Sequence, residues 1–431
     1  MSQTINNILK KVILKVNPSA EEINSVNKFL KQFREEIENK FKTFNIGAEI
    51  FVGGSFAKKT LMKKGMYDID VFARFNESYK GKDISKLLEK TVGKIKIGKV
   101  SLVHGSRDYF KIEPRNQNFF IEIIPVIKVK NPKEAENITD LSYFHVTYIR
   151  KKLNTEKLLE EARLAKAFCH ANKCYGAESY INGFSGYALE LLIHHYKGFL
   201  NFLKAMIKVK DKLIIDIEKL HKNKYELKIN MNSAKMSSPI VLIDPTYKDR
   251  NALAALSEET FKNFQEACRK FLKNPSEEMF ELKKIDFEKE KKDSEKNKSE
   301  FILLEMKTDK QEGDIAGSKL LKFYKHLAED IKRFYDVKKE GFEYNNEQDA
   351  KCFFTVKKKK EIIFSGPESK DKAENIKRFK QRHKDVFEKK GRLFAREKIS
   401  KSFKDFFKEW MNTSCEKIRE MYISELKIEE D

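Results

Sequence analysis

Between Gly53 and Asp70 the chain reads GGSFAKKTLMKKGMYDID: a Gly-Gly-Ser turn, four lysines, then two aspartates one residue apart. A glycine-serine turn that opens a helix presents backbone N–H groups and a hydroxyl to an anion, reinforced by the helix dipole. Asp68 and Asp70 share one face of a strand, because strand side chains alternate with period two. Paired carboxylates repel unless a cation lies near them. Mg²⁺ takes hard oxygen ligands and binds phosphates as well. A third acid is Glu122, alone in the apolar run FFIEIIPV, where burial without a partner is costly; its plain alternative is a solvent-facing place at a sheet edge. Three carboxylates around two Mg²⁺ ions would activate an attacking hydroxyl and stabilise a leaving pyrophosphate. The reaction class is nucleotidyl transfer to a hydroxyl. No G-x-x-x-x-G-K-[ST] occurs, which excludes a P-loop. Of the four lysines, Lys58 lies one helical turn beyond Ser55 and is best placed to meet a triphosphate; the others read as solvated.

The elements that must hold these residues are legible in outline. Ser19 to about Phe44 repeats Ile23, Val26, Phe29, Leu30, Phe33, Ile37 and Phe41 at helical spacing. AEIFV before the glycines, DIDVFARF and FFIEIIPVIKV read as strands, giving one α/β unit up to about Lys130. From about Asn154 to Met206 the pattern is helical, with GFSGYALELLIHHYKGFLNFL as a buried helix. PIVLIDP reads as a strand, TYKDRN as a polar segment, and SEETFKNFQEACRKFL as a helix. The charged run Lys283–Glu300 reads as a solvated boundary. Beyond it the order is strand, helix, then KCFFTVKKKKEIIFSGP as two strands in a basic hairpin, and a final helical region rich in Lys and Phe.

Composition sets the surroundings. The chain has 431 residues and a formal net charge of +22, long enough for two to four domains. Its positive charge is spread along the chain and points to a polyanion, nucleic acid before an acidic membrane surface. A lysine-biased composition is the bland source of the same charge. Five scattered cysteines, Cys169, Cys174, Cys268, Cys352 and Cys415, lack zinc-ligand spacing and read as reduced thiols. The N-terminus lacks the apolar core of a signal peptide, and no window suits a membrane helix. The expectation is a soluble cytoplasmic protein without a membrane partner.

VGGSFAKKT…DIDVF resembles the signature of the polymerase-β-like nucleotidyltransferases. FHVTYIRKKL, LAKAFCHANKCYGAE, INGFSGYALELLIHHYKGFL and VLIDPTYKDRNALAALSEE resemble, in order, blocks of the archaeal-type (class I) CCA-adding enzymes, and FEKKGRLFAREK is similar to a late block. The resemblance is strongest over about residues 45–260. It implies an α+β multidomain fold: a nucleotidyltransferase palm (1–135), a mainly helical base-binding domain (136–260), a basic α/β tRNA-contacting domain (261–370) and a C-terminal tRNA-binding region (371–431).

The same resemblance implies Asp68, Asp70 and Glu122 as catalytic ligands of two Mg²⁺ ions, with Glu122 where the family usually has aspartate. Gly54, Ser55 and Lys58 would bind the triphosphate, Lys58 standing where arginine is usual, which keeps the charge but loses the bidentate fork. His145, Lys166 and Tyr175 would contact the nucleotide, and Arg250 would read the base. Each has a plainer reading: a packed histidine, a solvated helix lysine, a turn-closing tyrosine, and an arginine paired with Asp244 or Asp249. The His194–His195 pair reads as helix packing. Departures from the family pattern are Leu141, Ser142 and Tyr143 in place of Arg-Thr-Pro, and Arg107–Tyr109 in place of an HPY-like block. The implied activity is addition of C, C and A to the tRNA 3′ end from CTP and ATP, without a template. The rivals are a poly(A) polymerase or oligoadenylate synthase of the same superfamily, and a non-catalytic RNA-binding protein. The sequence leaves a homodimer open.

Overall fold

Two compact units divide the chain, Met1–Lys283 and Lys284–Asp431. The computed structural model describes residues 2–223, 226–227, 231–398 and 402–429.

The first unit opens with two helices, α1 (Ser2–Val16) and α2 (Ala20–Thr43). Ser19 starts α2 with a capping box: its hydroxyl accepts from the Glu22 amide, and the Glu22 carboxylate accepts from the Ser19 amide, satisfying two donors that a helix start leaves open. Five strands follow: β1 (Ala48–Val52), β2 (Tyr67–Phe75), β3 (Lys99–Val103), β4 (Tyr109–Glu113) and β5 (Phe119–Ile127). The one-turn helix α3 (Gly54–Ala57) precedes β2, and α4 (Ile84–Val92) precedes β3. The sheet order is β1-β2-β5-β4-β3. Only the central pair β2–β5 is parallel.

Alternation gives the sheet two different faces. Ile69, Val71, Ala73, Ile121, Ile123 and Ile127 join one core with the buried face of α2 and with Leu88 of α4. The opposite face carries Asp68, Asp70, Phe72, Glu122, Ile124 and Val126, for the period-two reason that places odd and even residues apart. On it, Phe72, Ile124 and Val126 form a small apolar cluster with Phe51 and Tyr109.

A second core is helical: α5 (Ser142–Lys152), α6 (Glu156–Ala171), α7 (Gly186–Tyr196), α8 (Phe199–Met206) and α9 (Glu258–Lys273). A small sheet of β6 (Leu213–Ile215), β7 (Ile240–Asp244) and β8 (Tyr247–Asn251) adjoins them. The single helix expected over GFSGYALELLIHHYKGFLNFL is two, because Lys197 at φ 58° and Gly198 at φ 137° break it. TYKDRN, expected as a polar segment, contributes strand β8. The expected boundary at 260/261 falls within α9, whose Phe261, Phe264, Ala267, Cys268 and Phe271 belong to this helical core. So does α1, through Leu9 and Val12.

In the second unit, β9 (Glu300–Lys307), β10 (Tyr335–Tyr344), β11 (Asp349–Lys358) and β15 (Glu425–Ile428) form an antiparallel sheet in the order β10-β11-β9-β15, backed by the helix Asp314–Phe334. A second sheet, ordered β12-β14-β13, combines β12 (Glu361–Glu368), β13 (Asp385–Lys389) and β14 (Arg392–Lys398). This corrects the expected hairpin over KCFFTVKKKKEIIFSGP. Both edges of β11 are taken, by β10 and β9, so β12 pairs with β14 instead. The final region is likewise not wholly helical, since it includes β13, β14 and β15. Among the described residues the cysteines are free thiols, and no helix is long and apolar enough to cross a membrane.

Candidate functional site

The Gly-Ser turn is built against the first metal candidate. The Gly53 amide donates to the Asp70 carbonyl at 2.9 Å, tying the turn to β2. Gly54 has φ +57°, and a β-carbon there would lie 1.7 Å from Asp70 Oδ2. Only glycine fits both the left-handed backbone and the contact. Ser55 and Phe56 follow on α3, whose opening amides have no carbonyl one turn earlier to bond and so face outward as donors.

Asp70 and Glu122 are register partners on the parallel strands β2 and β5, with Asp68 two residues back on the same face. Burial, then the Asp68 charge, pushes the Asp70 carboxyl up to about 6 despite Lys58 and Lys64 nearby. Burial, then Asp70 and Asp68, pushes Glu122 up to about 7. Asp70 and Glu122, whose carboxyls burial and neighbouring acids both push up, would be relieved by a divalent cation. The three acids do not form a closed cage, however: Asp68 Oδ1 is turned toward Lys64 Nζ at 3.2 Å, and among the described residues no group of three His, Cys, Asp or Glu side chains is gathered as a metal site. The donor set suits a hard cation in chemistry and charge. The residues at the departures buttress it. Tyr109 stands beside Glu122, where burial and then the Glu122 charge push its phenol well above its usual range, and Arg107 Nη1 donates to the buried Asp140 at 2.6 Å. Tyr143 lies under the Arg74 guanidinium, 4.1 Å away, and against Phe51.

Behind the turn lies a buried charge network. Lys166 on α6 is 2% exposed, so the solvated reading fails. Its Nζ donates to Thr60 O at 3.1 Å, Thr60 Oγ1 at 2.8 Å and Glu190 Oε1 at 2.7 Å. Lys58 Nζ stands 2.7 Å from Glu190 Oε2, an ion pair not aligned as a hydrogen bond. Thr60 Oγ1 donates to Glu190 Oε1 at 2.5 Å. Burial alone would raise the Glu190 carboxyl, but Lys166 and Lys58 overcome it and hold the group at about 2. Burial, only partly offset by Glu190, lowers Lys166 to about 8. The Tyr175 hydroxyl lies nearby: both it and Lys166 Nζ come close to Gly186, 2.9 and 3.7 Å from where a β-carbon would stand.

A second constellation centres on Asp244, which is fully buried at the end of β7. Its Oδ2 pairs with His145 Nε2 at 3.0 Å and Arg250 Nη1 at 2.7 Å. Its Oδ1 accepts from the Tyr187 hydroxyl at 2.9 Å and from the Thr246 amide and hydroxyl. His145 stacks on Tyr187 at 4.1 Å between centroids, and the Arg250 guanidinium lies 5.8 Å from the same ring. Against the pull of burial, His145, Arg250 and the Thr246 amide hold the Asp244 carboxyl well below its usual range. Arg250 thus has the expected partner Asp244, in a geometry that also fixes its direction beside an aromatic platform.

The structure therefore brings Gly54, Asp68, Asp70 and Glu122 together, and separately joins Lys58 with Lys166 and His145 with Arg250. Glu190, Asp244, Tyr187 and Thr60 are members that the motif reading passes over. The signal was available: Glu190 is a lone acid within ALELLI, and Asp244 ends the apolar run IVLID. His194 lies edge-on to Tyr148, in line with packing. A cleft of about 740 Å³ opens behind the turn, lined among others by Arg34, Phe51, Phe56, Lys59 and Arg150 but by none of the three carboxylates.

Comparison with known proteins covers most of the first unit. Residues 160–281 match the family described as tRNA nucleotidyltransferase, second domain, and residues 3–157 match the Second Messenger Oligonucleotide or Dinucleotide Synthetase domain. A CCA-adding enzyme of Nanoarchaeum equitans is 42% identical over 244 residues, covering 56% of this chain and 59% of that protein. One from Methanocaldococcus jannaschii is 28% identical over 96% of this chain and 92% of its own length. Among solved structures, a cytoplasmic RNA terminal U-transferase superposes with a TM-score of 0.51 at 12% identity, over 66% of this chain and all of that one; at such identity the likeness is one of fold.

Proposed function

Because the chain belongs to the archaeal-type CCA-adding enzymes, within the polymerase-β-like nucleotidyltransferases, we propose that it adds C, C and A to the 3′ end of tRNA from CTP and ATP. The observation that carries this reading is the in-register pair Asp70–Glu122 set against Gly54. It puts a carboxylate cluster and an anion-binding turn within one side-chain length of each other. The polymerase-β-like superfamily generally works with divalent metal; we propose two Mg²⁺ ions held by Asp68, Asp70 and Glu122. When bound, such ions supply charge neutralisation and a more acidic attacking hydroxyl.

The residues divide the remaining work. Gly54 and Ser55 offer the outward amides and a hydroxyl to the triphosphate. Lys58 and Lys166 supply positive charge to it, and the Tyr175 hydroxyl is placed to donate to the same group. Arg250 and His145, fixed by Asp244, line a polar edge for the base beside Tyr187. A planar donor held by a buried carboxylate can serve two bases only if the RNA end contributes as well, so we assign base choice jointly to Arg250 and the growing 3′ end. The basic second unit would hold tRNA by charge and helical shape. As domains we propose the palm at 1–135, the helical base-binding part at 136–260 extended by α9 to about 283, and two tRNA-contacting parts beyond, at about 284–370 and 371–431. We place the protein in the cytoplasm, where its tRNA substrate would be met, and propose a homodimer as its assembly.

The match of residues 3–157 to an oligonucleotide synthetase domain keeps one rival in view: template-free oligomer synthesis from nucleotides alone. Labelled CTP with tRNA lacking its CCA end separates the two. Incorporation of two C residues followed by A is expected. Incorporation of ATP only, or oligomer formation without tRNA, would overturn the tRNA reading.

A further inference from the structure

We propose that Glu190 is a positioning residue of the nucleotide site, its buried carboxylate pairing with both Lys58 and Lys166 and so gathering their positive charge next to the Thr60–Ser55 backbone before a triphosphate arrives. The proposal rests on the reading of those two lysines as triphosphate ligands.

The fold gives no reason for an acid at this place. Glu190 lies mid-helix on α7 between Leu189 and Leu191, and all three are 0% exposed. A buried ion pair is weak evidence for stability, because an apolar residue of similar volume often serves as well. The carboxylate is instead shared. One oxygen takes Lys166 and Thr60, and the other faces Lys58. Thr60 also receives Lys166 at its hydroxyl and carbonyl, and its own amide donates to Ser55 O at 2.9 Å. Glu190 is therefore linked through Thr60 to the serine of the phosphate turn.

The charges do not balance. Two buried ammonium ions face one carboxylate; Lys64, at longer range, is itself paired with Asp68. Around the two lysines stand Asp70, at coulombic distance only, the neutral Tyr175 hydroxyl and, near Lys58, His145 and the Tyr187 ring, 5.7 Å from the Lys58 Nζ. At contact distance the pair of lysines is left with one positive charge more than Glu190 supplies, which an incoming triphosphate would neutralise. Without Glu190 the two lysines would face each other in a low-dielectric interior, and one would shed its proton. A neutral amine offers little to a phosphate.

The test measures ATP binding by the full chain, without RNA or divalent metal, between pH 6 and pH 8. Glu190→Gln is expected to weaken ATP about tenfold relative to wild type at pH 8, one pKa unit's worth, and to recover toward wild type at pH 6 as the lysine regains its proton. Taking the ratio to wild type cancels the titration of ATP itself. Glu190→Asp keeps the charge, so its ratio should stay flat with pH even if lower throughout; it also serves where the glutamine variant fails to fold. A pH-independent loss in Glu190→Gln, no loss at all, or a pH-dependent ratio in Glu190→Asp overturns the proposal. Lys166→Met reports on the premise separately. If it leaves ATP affinity unchanged, the triphosphate reading of the lysine fails; if it weakens ATP while Glu190→Gln does not, only the role of Glu190 fails.

Discussion

Replacing Gly54 by alanine tests the coupling of turn and carboxylate most directly. The new β-carbon would sit 1.7 Å from Asp70 Oδ2, 2.6 Å from its Cγ and 2.8 Å from its Cβ. A tolerable C···O approach is about 3.3 Å, so the carboxylate must retreat by about 1.6 Å or the turn must open. The φ of +57° adds about 1–2 kcal/mol of backbone strain for any residue with a β-carbon. Misplacing a reacting group by about 1 Å costs on the order of 100-fold in rate. Gly54→Ala should therefore lower kcat/KM for CTP incorporation by about 100-fold or more. Urea unfolding should show a stability loss of about 1–3 kcal/mol. Gly65, in the same loop, has open space within 4 Å of the place a β-carbon would take and no positive φ, so Gly65→Ala is the matched control and should be near neutral. The stability loss should also shrink by about 1 kcal/mol in an Asp70→Ala background, where the offending oxygens are gone. Activity of Gly54→Ala within threefold of wild type, or an equal stability loss with and without the Asp70 carboxylate, would refute the contact as the reason for glycine.

Asp244→Asn keeps the shape but removes the charge that faces both His145 and Arg250; a loss of about 3 kcal/mol in urea, with blurred discrimination between CTP and ATP, is expected. At the acid end, Glu190 is held at about 2 against an ordinary 4.5, and Asp244 is depressed likewise. Such groups stabilise the fold fully above the unfolded-state pKa and lose that contribution as pH falls through the folded one. The urea midpoint should accordingly drop between about pH 4.5 and pH 2, less steeply in a variant carrying Asp244→Asn and Glu190→Gln. The opposite sign holds at the carboxylate cluster, where Asp70 is raised from the usual 3.8 to about 6: Asp70→Asn should be more stable than wild type in chelator at pH 7.5, by up to about 3 kcal/mol, while losing activity. Added Mg²⁺ should raise the melting temperature of wild type and leave Asp68→Ala/Asp70→Ala unmoved, by linkage of binding to folding.

The elements read correctly from sequence are those whose partners are close by or whose pattern is complete within a few residues. α2 shows a long apolar stripe and its own capping box; β2 and β5 alternate or run apolar between clear turns. The errors arise where pairing is decided at a distance. β11 and β12 adjoin across two residues, yet belong to different sheets because β10 and β9 occupy β11 first. β3 is an edge strand with little burial and hence little pattern. At the site, the turn and the aspartate pair lie within 18 residues and read as one motif. The counter-charges do not: Lys58 and Lys166 meet on Glu190, and Arg250 and His145 on Asp244. Spacing along a chain does not show which of its many acids closes such a pair.

The packing of α1 has a consequence for synthesis. Its Leu9 and Val12 are buried in the helical core, and Lys11 and Lys15 pair with Glu277. This helix thus finds its first core partners in α6 and its last, Glu277, some 260 residues downstream. At about 5–20 residues per second, roughly 13–50 s pass before that core is complete. Until α6 emerges, this amphipathic helix has no apolar partner in that core, and until the segment around Glu277 follows, its packing is incomplete. The palm core, whose strands and helices lie between residues 20 and 129, has every member in hand long before. Synthesis of this chain should therefore yield a folded palm while α1 still lacks part of its packing, and the first unit is completed only when the segment around Glu277 reaches α1.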